Sequence, residues 1–141
     1  MPESRIRGKK RAAVFAAAGF RCEYCRTPIE FTIQPFVVEH ILPIIKGGDS
    51  SIDNLACACG GCNGHKYDKT EAVDPAENTL CPLFNPRIDL WDKHFSWNAD
   101  FTQIIGISTV GRATVVALQL NRTGLVNIRR LMVLGGIHPP G

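Results

Sequence analysis

Alanine, valine and phenylalanine fill the stretch from Arg7 to Ala18, which has no proline and ends at Gly19. That pattern predicts an N-terminal helix with a glycine stop. Phe20 to Cys25 reads as a tight turn, Thr27-Pro28 as a loop and Phe31–Ile33 as a short strand. The run Phe36-Val37-Val38-Glu39-His40-Ile41 follows Pro35, is half alternating and β-branched, and predicts a strand that Pro43 ends. Side chains alternate along a strand, so Glu39 and His40 are expected on opposite faces. Lys46-Gly47-Gly48-Asp49-Ser50-Ser51 reads as a loop, and Ile52 to Leu55 as a returning strand that closes a hairpin. A short helix is expected from Asn63, as its cap, to about Ala72.

Beyond a linker with Pro75 and Pro82, the aromatics Phe84, Trp91, Phe95 and Trp97 predict a small second core packed on the first. Phe101–Ile107 reads as a strand or extended arm. Gly111–Leu120 and Leu125–Leu134 predict two helices separated by Asn121 and stopped at Gly135-Gly136. These elements define an α+β fold in two parts. A core over residues 1–75 has an N-terminal helix, and a mainly helical extension over 76–141 packs on it.

The 141 residues suffice for one domain with a real core. No run of eighteen apolar residues occurs, so no transmembrane helix or membrane partner is expected. The basic start lacks a convincing cleavage site, so no signal peptide is read. A net charge of +3 says little about partners. Its distribution says more, because Arg5, Arg7, Lys9, Lys10 and Arg11 form a basic cluster suited to phosphate.

Six cysteines change the picture further. Cys22/Cys25 and Cys59/Cys62 are two pairs with the same spacing, each able to turn two thiolates onto one ion. Four soft ligands favour a structural zinc in a reducing compartment, so a cytoplasmic location is expected. Cys57 is expected to be a core residue at a strand end. Between the pairs stand His40, which titrates near neutrality, and the hard-oxygen donors Glu39 and Asn63.

The run Glu39-His40-Ile41-Leu42-Pro43, then Gly47-Gly48, Asn54-Leu55 and Cys59-Gly60-Gly61-Cys62-Asn63-Gly64-His65-Lys66 resembles the HNH endonuclease motif. The resemblance covers roughly residues 20–70. It implies a ββα-metal core with a four-cysteine zinc brace that hydrolyses DNA phosphodiester bonds. His40 would be the general base, Asn54 the residue that holds the hairpin loop, and Glu39 and Asn63 the ligands of one catalytic ion. That ion would be Mg²⁺, Mn²⁺ or Ni²⁺, and the products would be 5′-phosphate and 3′-hydroxyl ends. Glu39 stands where many members have Asp. The Arg5–Arg11 cluster with His65, Lys66 and Lys69 would contact the DNA backbone, and a double-strand cut would call for a homodimer. The alternative is a zinc-stabilised nucleic-acid binding module without cleavage activity. A thiol redox protein fits less well, for want of a thioredoxin-like strand–helix context around the pairs.

Overall fold

The computed structural model of the protein describes residues 6–139. Among them are α1 (Gly8–Ala17), β1 (Phe36–His40), β2 (Leu55–Cys59), α2 (Gly60–Lys66), β3 (Glu71–Val73) and β4 (Leu80–Pro82). Then follow α3 (Trp91–His94), β5 (Phe95–Trp97), β6 (Ile104–Gly106), α4 (Thr109–Ala117) and α5 (Thr123–Leu134). The described residues form a small mixed α+β fold with three two-stranded sheets, each antiparallel, and five helices.

β1 and β2 pair in full, from Phe36 opposite Cys59 to His40 opposite Leu55. β2 reads Leu-Ala-Cys-Ala-Cys and is buried along its whole length. Small side chains let α1 lie close on this hairpin, where Val14 and Phe15 are the buried residues of the helix. The Phe15 ring meets Phe36 edge-on at 6.4 Å, a favourable aromatic geometry.

Four expectations shift. Phe31–Ile33 does not form a strand; a 3₁₀ turn occupies Ile29–Phe31 instead. Ile52–Asn54 is also a 3₁₀ turn, and the returning strand begins only at Leu55. Cys57 is therefore in mid-strand, with its N–H donating to Glu23 Oε2 at 2.9 Å. The helix expected from Asn63 begins three residues earlier, because Cys59 is its N-cap and the sulfur accepts from Cys62 N at 3.4 Å. That cap overrides the low helix propensity of Gly60 and Gly61, and the chain leaves the helix after Lys66.

The C-terminal half is less helical than its sequence suggests. β3 pairs β4 across the expected boundary at residue 75, and β5 pairs β6. One hydrophobic cluster nevertheless joins both halves, running from Val14 and Phe36 through Tyr24 to Phe84, Trp91, Phe95 and Leu125. Trp91 Nε1 donates to the Tyr24 carbonyl at 3.0 Å, and Arg87 pairs with Glu23. Asp74 is sealed and takes both a 2.9 Å bond from Arg112 Nε and another from Nη2. That fork holds its carboxyl down to about 2. No helix among the described residues is long and apolar enough to cross a membrane.

Candidate functional site

The two cysteine pairs come from two similar turns. In the first, Cys25 N approaches Cys22 Sγ at 3.5 Å; in the second, Cys62 N approaches Cys59 Sγ at 3.4 Å. Each turn thereby points two sulfurs the same way. All four sulfurs lie within 4.8 Å of one another, with Cys25 and Cys59 at 3.8 Å. Ligands about 2.3 Å from a tetrahedral ion stand about 3.8 Å apart. The cage therefore fits a metal such as zinc. Cys57 stands outside this group, and burial pushes its thiol up to about 12, which makes it a packing residue.

One turn away, a cavity of about 310 Å³ is bounded by Ile6, Arg11, Val37, Val38, Glu39, His40 and Asn63. The end of β1 and the middle of α2 form two of its walls, and the start of the chain forms a third. Glu39 and His40, neighbours on a strand, thus reach one space despite their alternation. Asn63 is held there because it directly follows Cys62 on the helix that the second cysteine turn starts.

His40 is half-buried, and its Nε2 lies 2.9 Å from Ser50 Oγ. Burial lowers its pKa below the ordinary 6.5, with Asp49 opposing. The ring is therefore neutral at pH 7. Ser50 is itself gripped, since Lys10 Nζ donates to its carbonyl at 2.7 Å. The loop between the strands is closed by Asn54. Its Oδ1 accepts from Leu42 N at 2.8 Å, and its Nδ2 donates to Leu42 O at 3.0 Å and Asp49 O at 2.8 Å. Gly48 packs so tightly under this knot that a side-chain carbon there would sit 1.8 Å from the Leu42 carbonyl. Only glycine fits.

Glu39 is buried, and its Oε1 accepts from Tyr24 Oη at 2.8 Å and pairs with Lys66 Nζ at 3.3 Å. Burial raises its carboxyl, while Lys66 and Tyr24 pull it back down. Oε2 takes no hydrogen bond from a described residue and remains available to the cavity.

Lys66 is thereby corrected. It was expected at the DNA backbone, but it is 1 % exposed and its ammonium is spent on Glu39 and on the Ile41 carbonyl at 2.9 Å. The helix begins earlier than expected, and this turns position 66 inward. Arg7, Lys9 and Lys10 are exposed on or beside the first turn of α1, and Lys69 is exposed and donates to the His65 carbonyl. Arg11 is half-buried, donates to the Phe36 carbonyl at 3.1 Å and lies over the Phe15 ring. His65 is half-buried. Arg5 lies outside the described residues.

Sequence reasoning missed Tyr24, Ser50 and Arg122. Arg122 donates to Cys59 and Cys62 Sγ at 3.6 Å. Tyr24 had a signal, since it stands between two ligating cysteines; Ser50 and Arg122 had none.

Residues 22–69, about a third of the chain, match the family model described as HNH endonuclease. The match spans both cysteine pairs and every residue of the cavity wall except Ile6 and Arg11. The family's description suggests nuclease chemistry and a nucleic-acid substrate. No curated protein matches the chain, and no solved structure does.

Proposed function

We propose that the protein is a metal-dependent DNA endonuclease that cuts in the cavity shared by Glu39, His40 and Asn63. The convergence of those three side chains on one space, from β1 and from α2, is the observation that carries this reading. The order β1, β2, α2 with antiparallel pairing suits a ββα-metal core, and zinc in the cysteine cage would lock its two ends.

Hydrolysis of a phosphodiester needs a hydroxide-like nucleophile in line with the departing oxygen, and positive charge where negative charge develops. His40 supplies the first. With Ser50 Oγ accepting from Nε2–H, Nδ1 carries the lone pair and takes a proton from water. Lys10 and Asn54 hold the loop that aims the ring. Glu39 Oε2 and the Asn63 amide oxygen are hard donors of the kind that bind Mg²⁺, Mn²⁺ or Ni²⁺. Such an ion would neutralise charge on the scissile phosphate and the leaving 3′-oxygen. Tyr24 and Lys66 fix Glu39 so that its free oxygen faces the cavity. Arg11 adds a fixed positive charge at the rim, and Arg7, Lys9 and Lys69 are free to track the backbone on either side. Phosphate contacts carry little sequence information, so cleavage is expected to be weakly sequence-selective.

Supercoiled plasmid incubated with the purified chain and a metal series tests this. Nicking is expected, and His40→Ala should slow it by about 10²–10⁴ while the thermal transition stays put. A mobility shift without nicking would instead make the protein a binding module, and wild-type nicking by the variant would remove His40 from the chemistry.

A further inference from the structure

The four-cysteine cage poses an electrostatic problem that its ligands do not solve. Four thiolates around one divalent ion leave an excess of two negative charges. Cys22, Cys25 and Cys62 are at most 1 % exposed, so water does little to screen them. Buried charge of that kind is costly unless opposite charge stands beside it. Arg26, the cation beside the first turn, lies over the Trp91 ring at 5.0 Å and makes no hydrogen bond to a sulfur.

An arginine from the C-terminal segment reaches the sulfurs. Arg122 directs Nη1 to Cys62 Sγ and Nη2 to both Cys59 and Cys62, each at 3.6 Å. Its guanidinium is held in that pose by the Leu118 and Gln119 carbonyls, which accept from Nη1 at 3.2 Å. The approach depends on Gly61, where a side-chain carbon would fall 2.4 Å from Arg122 Nη2. Arg129, about two turns along α5, is fully buried. It donates to the Thr102 and Leu120 carbonyls and to Asn121 Oδ1, at 3.1, 2.7 and 3.1 Å, and lies over the Trp97 ring. All of these acceptors are neutral. No described carboxylate lies within ion-pairing distance of Arg129. Burial pulls its pKa down to about 10, and the charges that oppose this are the thiolates of Cys25, Cys62 and Cys22.

We propose that Arg122 is a counter-charge of the four-thiolate metal centre, so the C-terminal segment supports that centre electrically without supplying a ligand. The Arg122 guanidinium, set against Cys59 and Cys62, offsets part of the excess of two negative charges. The N–H groups of Arg122 also withdraw charge from two sulfurs directly, which favours a held ion over a lost one. Arginine suits this role because it stays protonated when desolvated and spreads its charge over a planar fork. The segment whose sequence carries no nuclease motif thereby becomes a condition for keeping the metal.

The test is metal retention by the full chain, read without any nucleic acid. Zinc-loaded wild type, Arg122→Met, Arg122→Lys and Arg130→Met are mixed with excess chromogenic chelator, and zinc transfer is timed at fixed pH and ionic strength. Methionine keeps much of the apolar stem and removes the charge; lysine keeps the charge and loses the fork. Arg122→Met is expected to release zinc at least tenfold faster than wild type, Arg122→Lys to fall between them, and the exposed Arg130→Met to match wild type. Circular dichroism of the zinc-loaded chains confirms that the fold persists. A wild-type release rate for a folded Arg122→Met overturns the proposal. Equal acceleration by Met and Lys overturns it too, since charge would then be irrelevant. The proposal rests on the cage holding a divalent ion. Wild type that binds no zinc would defeat that premise, an outcome distinct from wild type and Arg122→Met releasing it alike.

Discussion

Cys62 and Asn63 are consecutive residues of one short helix, yet they belong to regions built on opposite rules. The cysteine corner is sealed, and each of its sulfurs is engaged by backbone, by a neighbouring sulfur or by Arg122. The His40 cavity next to it leaves donors and acceptors unspent, including Glu39 Oε2 and the Asn63 amide. Sulfurs committed to one sealed four-ligand cage are closed to substrate and to water. A group left unsatisfied needs a rigid wall to hold it in place. The corner provides that wall, and the difference of one residue step keeps stabilising contacts out of the reactive space.

Removing a sulfur should break the comparison outright. A structural zinc contributes about 10–16 kcal/mol of apparent folding free energy in zinc-finger peptides. Cys62→Ser is therefore expected to lose both bound zinc and a cooperative thermal transition. Cys57→Ala, outside the cage, should keep zinc near one per chain and melt only somewhat earlier. A sharp transition in chelator-treated wild type would show that the corner does not need its ion.

Lys66→Met probes the seam between the regions. It leaves the Glu39 carboxylate buried without its cation, which typically costs about 3–5 kcal/mol, measured by urea unfolding at pH 7. The sign with pH follows from Glu39, whose folded-state pKa is already raised by burial and rises further when Lys66 goes. A carboxyl raised in the folded state is favoured there when protonated, so the deficit should shrink as pH falls through that pKa. A deficit that stays constant with pH would mean that packing, not the lost ion pair, sets the cost.

Ser50→Ala sharpens the reactive side. One net hydrogen bond is worth about 0.5–1.5 kcal/mol, so cleavage should fall by about two- to tenfold and the melting temperature by only a few degrees. Ser50→Thr, which restores a hydroxyl, should recover most of it. The smallest effect concerns pH. Burial lowers His40 below its usual 6.5, so wild-type cleavage should fall to half its maximum only at a pH under that value, as the ring takes up its proton. A midpoint above 6.5 would contradict a buried neutral base.

Much of the sequence pattern maps directly onto the structure. The glycine stop after α1, the β-branched strand that ends in Glu39-His40 and the two matching cysteine pairs depend on local chemistry, and local chemistry is written in adjacent residues. The boundaries of β2 and α2 were not legible. Gly60 and Gly61 oppose a helix by propensity, and only a sulfur cap supplied by the cysteine turn starts one there. Lys66 reads as a surface cation because its partner, Glu39, is 27 positions away and reaches it only through the fold.

By itself, then, the chain order determined which residues could hold a metal and which stretch resembles a nuclease, because spacings of two or three residues constrain geometry before any folding. Tertiary structure alone decided which polar groups are spent and which are left free. Arg122 on the sulfurs, Ser50 on His40 and Lys66 on Glu39 are contacts across tens of residues. Burial and charge pairing of that kind are properties of the packed chain, and no local pattern encodes them.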